Sequence, residues 1–315
     1  MGAPESCPGC GSEVFADEAF CQACGRSLTG EPTPTGAACA ACGSAAFSAD
    51  GYCEQCGVLR PGDRDHVEME AGGAAGVTDR GLRHSRNEDA MALAVAGESV
   101  AAVVCDGVST SPLPQAASQA AADTGLKTLT ERLAAGDDPE TATRTALTKA
   151  VEAVTALAQS PHDAPACTYV SACAGPGGVT VGWVGDSRAY WLAGDASRQL
   201  TADDSWAAEM VAHGALTEAE AQAHPNAHAI VAWLGADAGE VEQHVTAFVP
   251  EGPGTLLLCS DGLWNYYPEA TRLASVMPSA DPLTAARHLV RLAVDAGGRD
   301  NITVVVIPFT QEHAQ

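Results

Sequence analysis

Three aspartates stand where apolar runs of this chain begin or end, and that placement limits its fold more than any other feature. Residues 103–107 read V-V-C-D-G, so a strand-like run stops on Asp106 and turns at Gly107. Residues 256–262, L-L-L-C-S-D-G, repeat the grammar with Asp261, and in 298–307, G-R-D-N-I-T-V-V-V-I, Asp300 precedes the run instead. A buried strand tolerates no unpaired charge, so an acid at its end sits on a metal or on hydrogen-bond donors. Carboxylates converging from distant segments repel one another unless cations stand between them, and oxygen-only ligands select hard ions such as magnesium or manganese. The pattern implies a two-metal hydrolase.

The chain's 315 residues allow one large domain plus something small, and 46% apolar residues can fill a substantial core. Its formal charge is −24, from 40 acids against 16 bases. Such a balance disfavours nucleic acid and anionic membrane as partners, because both demand clustered Lys and Arg. No run of eighteen apolar residues and no basic-plus-apolar amino terminus occurs, which gives the expectation of a soluble, cytoplasmic protein.

Eight of the 12 cysteines fall within the first 56 residues. Cys7, Cys10, Cys21 and Cys24, and then Cys39, Cys42, Cys53 and Cys56, each form Cys-x2-Cys, ten residues, Cys-x2-Cys, repeated with a period of 32. Four thiolates at this spacing suit a closed tetrahedral Zn²⁺ site, with Phe15 and Phe20 in one repeat and Phe47 and Tyr52 in the other as the bulky residues available to cover each metal. The pattern resembles a double zinc ribbon, which implies two structural zinc ions. The alternative is a disulfide framework, disfavoured where a reducing compartment keeps thiols free. A closed four-sulfur site leaves no place for substrate, so the expected role is contact with a protein. Nucleic acid is not expected, since Arg26 and Arg60 are the only bases in residues 1–60.

Residues 61–75 are charged and then glycine-alanine rich, and are read as a linker between the zinc module (1–60) and a packed domain (76–315). In that domain, hydrophobic periodicity predicts strands near 76–78, 91–95, 100–105, 166–174, 179–184, 188–192, 241–248, 255–259 and 302–308. Helices are predicted over 115–134, 139–159, 205–213, 217–223 and 282–296. Strands grouped apart from paired helices predict two sheets covered by helices, an α+β arrangement, rather than a parallel βαβ sheet.

Five segments then line up: T-D-R-G-L-R-H-S-R-N-E-D-A at 78–90, V-V-C-D-G at 103–107, G-W-V-G-D-S-R-A-Y-W-L at 182–192, L-L-L-C-S-D-G-L-W at 256–264 and G-R-D-N-I-T-V at 298–304. In this order they resemble the metal-dependent serine/threonine protein phosphatases of the protein phosphatase 2C type, in its bacterial form. The resemblance implies an α-β-β-α sandwich of two central antiparallel sheets flanked by helices, with a binuclear Mn²⁺ or Mg²⁺ centre at one edge. It implies that Asp106 bridges the metals, that the carbonyl of Gly107 ligates one, and that Asp261 and Asp300 complete the other. Glu88 and Asp89 would orient metal-held waters, and Asp186 would belong to a third, weaker site. The implied reaction is hydrolysis of phosphoserine and phosphothreonine on proteins, substrates of a Ser/Thr kinase, by a hydroxide activated between the metals, with no phosphoenzyme. Cys105 and Cys259 adjoin the metal aspartates but lack a phosphate-cradling C-x5-R loop, and with Cys167 and Cys173 are read as core. The five tryptophans are likewise read as core.

The chain departs from that family's pattern in four places. The phosphate-gripping arginine usually stands five residues before Asp89, where this chain has His84. Imidazole titrates near pH ~6.5 and lacks a bidentate fork, so His84 is expected to contact phosphate with an affinity that falls as pH rises. Otherwise His84 merely packs or faces solvent, and a neighbouring arginine reaches in instead, Arg86 rather than Arg83 on the assumption that the segment is a strand whose side chains alternate. Asn265 replaces an aspartate associated with the third metal, so weak occupancy there is expected. Ser109-Thr110 replaces a glycine pair, and Asp204 stands where many relatives have histidine. Two other readings stay open: an inactive phosphoprotein-binding scaffold, prompted by His84, and a phosphatase of small phosphorylated metabolites.

Overall fold

Side-chain alternation along apolar strands decides the layering of this protein. In the computed structural model, residues 64–160, 163–278 and 281–310 are described, with the isolated positions 5–6, 13–14, 42, 44, 46, 48 and 53–55 before them. The chain divides into two units, Met1–Gly62 and Asp63–Gln315.

In the first unit β1 (Glu5–Ser6) pairs antiparallel with β2 (Glu13–Val14). Of the eight expected zinc ligands, Cys7, Cys10, Cys21, Cys24, Cys39 and Cys56 lie outside the described residues, as do Phe15, Phe20, Phe47 and Tyr52. Cys42 and Cys53 are described, and their sulfurs stand 3.5 Å apart. That is too far for a disulfide, which needs about 2.05 Å, and close to the separation of two thiolates sharing a tetrahedral ion with Zn–S bonds of about 2.3 Å.

The second unit runs β3 (His66–Ala71), β4 (Ala74–Asp79), β5 (Ala90–Ala96), β6 (Ser99–Cys105), α1 (Pro114–Ala134), α2 (Pro139–Thr155), β7 (Tyr169–Gly175), β8 (Gly178–Val184), β9 (Arg188–Leu192) and β10 (Arg198–Gln199). It continues through α3 (Trp206–Ala212), α4 (Glu218–Gln222), β11 (His244–Phe248), β12 (Gly254–Cys259), α5 (Asp261–Trp264), α6 (Ala270–Val276), α7 (Pro282–Asp295) and β13 (Ile302–Phe309). One sheet has the order β10-β9-β12-β13-β4-β3 and the other β11-β8-β7-β6-β5, with every pairing antiparallel.

Neighbouring residues on each strand belong to different layers. Ala102 and Val104 of β6 meet Leu256 and Leu258 of β12 and Val305 and Ile307 of β13 between the sheets. Val103 and Cys105 face the other way, onto α1 and α2. Leu257, Cys259, Val304 and Val306 pack against Leu289 and Ala293 of α7. Burying both faces of each strand makes its sequence uniformly apolar, which is why β12 and β13 read as unbroken hydrophobic runs. Asp138 and Asp281 cap α2 and α7 by accepting from Thr141 N and Thr284 N, each followed by a proline at the first helical position. The result is the α-β-β-α sandwich expected.

The linker reading of 61–75 is corrected over its described residues, 64–75. Residues 66–71 form β3, an edge strand in register with β4 from His66↔Asp79 to Ala71↔Ala74. Gly72 (φ 58) and Gly73 (φ 78) supply the two left-handed residues that a tight hairpin needs. Glu68 and Glu70 suggested a solvated spacer, yet charge on an outermost strand is how sheets block further pairing. Among the described residues of the second unit, β10, α5 and α6 were also not foreseen.

Candidate active site

Antiparallel pairing brings the separated acids to one end of the sandwich. Asp106 follows β6, whose last residue Cys105 opposes Ala90, so Asp89 lies beside it. Cys259 opposes both Val304 and Arg188, which sets Asp261, Asp300 and Asp186 at that same end. Gly107 continues the ladder in a bridge to Cys167, and the backbone of Asp106 is fixed by Thr168, whose N–H donates to Asp106 O at 2.8 Å.

The cluster carries large mutual repulsion. Burial, then the charges of Asp89, Asp261, Asp186 and Asp300, holds the Asp106 carboxyl well above the usual carboxylate range. Burial and the charge of Asp300 push Asp261 up to about 6, against relief from a hydrogen bond with Asp106 and from Asn265, whose amide donates to Asp261 Oδ2 at 3.0 Å. Asp89 is pushed up to about 7 by burial, although Ser260 Oγ and Thr303 Oγ1 each donate to its Oδ2 at 2.7 Å. Asp186 is likewise raised, by burial first and then by Asp261 and Asp203.

Two buried oxygens of this cluster, Asp89 Oδ1 and Asp261 Oδ1, have no hydrogen-bond partner. An all-carboxylate set with orphaned oxygens is what a hard divalent cation satisfies, and the residues present fit one. Among the described residues no three potential ligands are drawn into a single coordination sphere. Asp300 is instead engaged by His84 Nε2, 3.1 Å from its Oδ1, and by the N–H of Asn301 at 2.8 Å.

The segment preceding Asp89 is a loop of turns and bends, not a strand, so alternation gives no reason to prefer Arg86 over Arg83. Arg86 is exposed, and its carbonyl accepts from Asn301. His84 is the residue of this loop that reaches the acids. Glu88 is partly buried; its carboxylate accepts from Ser109 Oγ at 2.6 Å, so the serine standing for a glycine anchors this acid to the loop after Gly107.

Sequence reasoning missed the residue that shapes the loop. Asn301, 2% exposed, accepts from Glu88 N at 2.7 Å and donates to Arg80 O at 2.8 Å and Arg86 O at 3.1 Å. Its available signal was a lone amide directly before an apolar strand. Arg188 was also missed: it forks onto Asp203 at 2.9 and 2.6 Å and lies 3.8 Å over the Trp264 ring, whose Nε1 donates to Asp186 O at 2.9 Å. Asp204 acquires a structural place, accepting from Gly185 N at 2.8 Å and pairing with His244 at 2.9 Å, so it ties the Asp186 turn to β11. Gly262 is forced by contact, since a Cβ there would overlap the carbonyl of Asn301. Gly262→Ala is expected to destabilise the domain by about 2–3 kcal/mol, seen as a lower urea midpoint at unchanged m.

Residues 80–293 match the Protein phosphatase 2C family. The chain belongs to that family. Residues 7–57 match the Double zinc ribbon family. Among protein phosphatase 2C relatives, the Serine/threonine phosphatase stp of Listeria monocytogenes serovar 1/2a is 31% identical over 237 residues, covering 73% of this chain and 93% of that protein. The stp of Listeria innocua is 37% identical over 141 residues, covering 44% of this chain and 55% of that protein, so that match spans about half the relative's length. The PPM Ser-Thr phosphatase MsPP of Mycobacterium smegmatis, solved with cacodylate, shares the fold at a TM-score of 0.61 with 33% identity, over 74% of this chain and 97% of that one. The catalytic domain of the phosphatase PstP, solved with two manganese ions, overlays with a TM-score of 0.55 at 24% identity, covering 76% of this chain and 97% of that one. The all-antiparallel double sheet described above is therefore a protein phosphatase 2C sandwich.

Proposed function

We propose that this chain hydrolyses phosphoserine and phosphothreonine on proteins, with Asp106, the Gly107 carbonyl, Asp261 and Asp300 holding two Mn²⁺ or Mg²⁺ ions. The observation that carries the reading is the convergence of five acids, two with orphaned buried oxygens, at one end of a protein phosphatase 2C sandwich. Bound there, two divalent ions would neutralise the carboxylates and lower the pKa of a water held between them. Glu88, fixed by Ser109 and by Asn301, and Asp89, fixed by Ser260 and Thr303, would orient water there. Asp186 and Asn265 would make a weak third site, since the Asn265 amide presents its N–H to Asp261. Cys105 and Cys259 are fully buried, with thiols pushed far above the usual range, which disfavours a thiolate nucleophile.

Manganese-dependent release of phosphate from phosphoserine and phosphothreonine peptides, in competition with small phosphorylated metabolites, tests the assignment. No release from any substrate would favour a binding scaffold, and preference for the metabolites would replace the protein substrate. His84 is assigned to the phosphoryl oxygens. KM for a phosphopeptide is expected to rise severalfold in His84→Ala and to return toward the wild-type value in His84→Arg, and an unchanged KM in both would remove His84 from substrate binding.

The amino-terminal module would hold two structural Zn²⁺ through its eight cysteines and contact a protein, the substrate or its kinase. Thiolate zinc ligands are kept reduced in a cytoplasmic setting. Deleting residues 1–60 is expected to leave p-nitrophenyl phosphate turnover within about twofold and to change turnover of a phosphoprotein, with equal changes in both excluding a recruiting role.

A further inference from the structure

A groove of about 850 Å³ opens between the segment after Asp106–Gly107 and the segment 228–237. Its walls include Val108, Pro112, Ala166, Ile230 and Trp233. The walls are pre-formed: Val108 N donates to Ala166 O at 3.0 Å, and Cys167 and Leu234 exchange backbone hydrogen bonds at 3.1 and 2.8 Å. Two of the polar groups lining it are already engaged, Ser111 Oγ by Ala166 N at 3.1 Å and Asp237 Oδ1 by Trp233 Nε1 at 2.9 Å. The indole is thereby held as a fixed apolar wall.

The groove adjoins the acid cluster from two sides. One wall begins two residues after Asp106, and on the other the His228 ring lies 5.7 Å from Trp264, the last residue of the helix that Asp261 opens. We infer that this groove binds an apolar side chain of the substrate polypeptide, within about three residues of the phosphorylated serine or threonine. Val108 follows Asp106 by two residues, at most about 7 Å of chain, and an extended peptide advancing about 3.3 Å per residue covers that in about two to three residues. The inference rests on the phosphoprotein reading above. A long apolar side chain would lie along Val108, Pro112, Ile230 and Trp233, whereas an acidic one would meet Asp237 and the nearby carboxylates.

Labelled phosphopeptides differing only at one position flanking the phosphoserine, Leu, Phe or Glu in turn at each of the three positions on either side, would be tested on the full chain with manganese. Binding is read by fluorescence anisotropy and hydrolysis by phosphate release. At one flanking position or more, Leu or Phe is expected to bind about tenfold more tightly than Glu, a difference of about 1.4 kcal/mol. Ile230→Ser and Trp233→Ala should each reduce that ratio to within about twofold. Hydrolysis without any flank preference, or a preference that both variants retain, overturns the groove while leaving the phosphatase reading intact. A preference in binding without hydrolysis supports the groove and overturns the activity, and absence of binding to every peptide overturns both.

Discussion

Asp106→Ala is expected to lower manganese-dependent hydrolysis of p-nitrophenyl phosphate by more than about a thousandfold, roughly 4 kcal/mol of transition-state stabilisation. The Asp106 carboxyl is raised by burial and then by the charges of the four other acids, Asp89, Asp261, Asp186 and Asp300. On the ligand assignment proposed above, its removal would cost both cations a ligand, where loss of Asn265 would touch one oxygen. Asp261→Ala should match it, and the double variant should be scarcely worse than either, because groups acting as a unit are not additive. Manganese titration by calorimetry gives an independent readout, with the variant losing the tight phase. Retention of a tenth of wild-type turnover in Asp106→Ala would leave the two-metal assignment without support.

The second large effect concerns stability. Asp89 and Asp261 are held at about 7 and about 6 in the folded chain, above the ~3.9 of an unfolded aspartate. Folded states with raised carboxyl pKa values keep protons that the unfolded chain releases, so the stability they contribute is complete below pH ~4 and is lost as pH rises through 6 and 7. Between pH 5.5 and 7.5 Asp89 and Asp261 together correspond to a loss on the order of 3 kcal/mol. Protein freed of manganese and magnesium should thus melt roughly 6–10 °C higher at pH 5.5 than at pH 7.5. Added manganese should raise the melting temperature more at the higher pH, where the carboxylates are ionised and unneutralised. A metal-free melting temperature independent of pH over this range would show that burial and mutual repulsion do not hold these acids protonated in the folded protein.

Asp106, Asp261 and Asp300 were legible because each interrupts or adjoins an apolar run, and no packing argument accounts for a carboxylate there. The double-sheet architecture was legible for a related reason, since β12 and β13 are apolar on both faces. What escaped notice is governed by partners remote in the chain. β3 carries the charges of an edge strand and is distinguished from a linker only by its register with β4. The loop from Arg80 to Glu88 has strand-like spacing, but Asn301 captures two of its carbonyls and one of its amides, holding it in turns. His84 was picked out as a departure, and its approach to Asp300 depends on that captured shape.

Glu88 and Asn301, whose hydrogen bond closes the loop, are 213 residues apart. The catalytic end consequently has no local precursor: a nascent chain that has not reached residue 300 has neither Asp300 nor the Asn301 amide that folds the His84 loop. Recovered turnover after dilution from denaturant should then track the slowest step of assembly, making catalysis itself a reporter of complete topology.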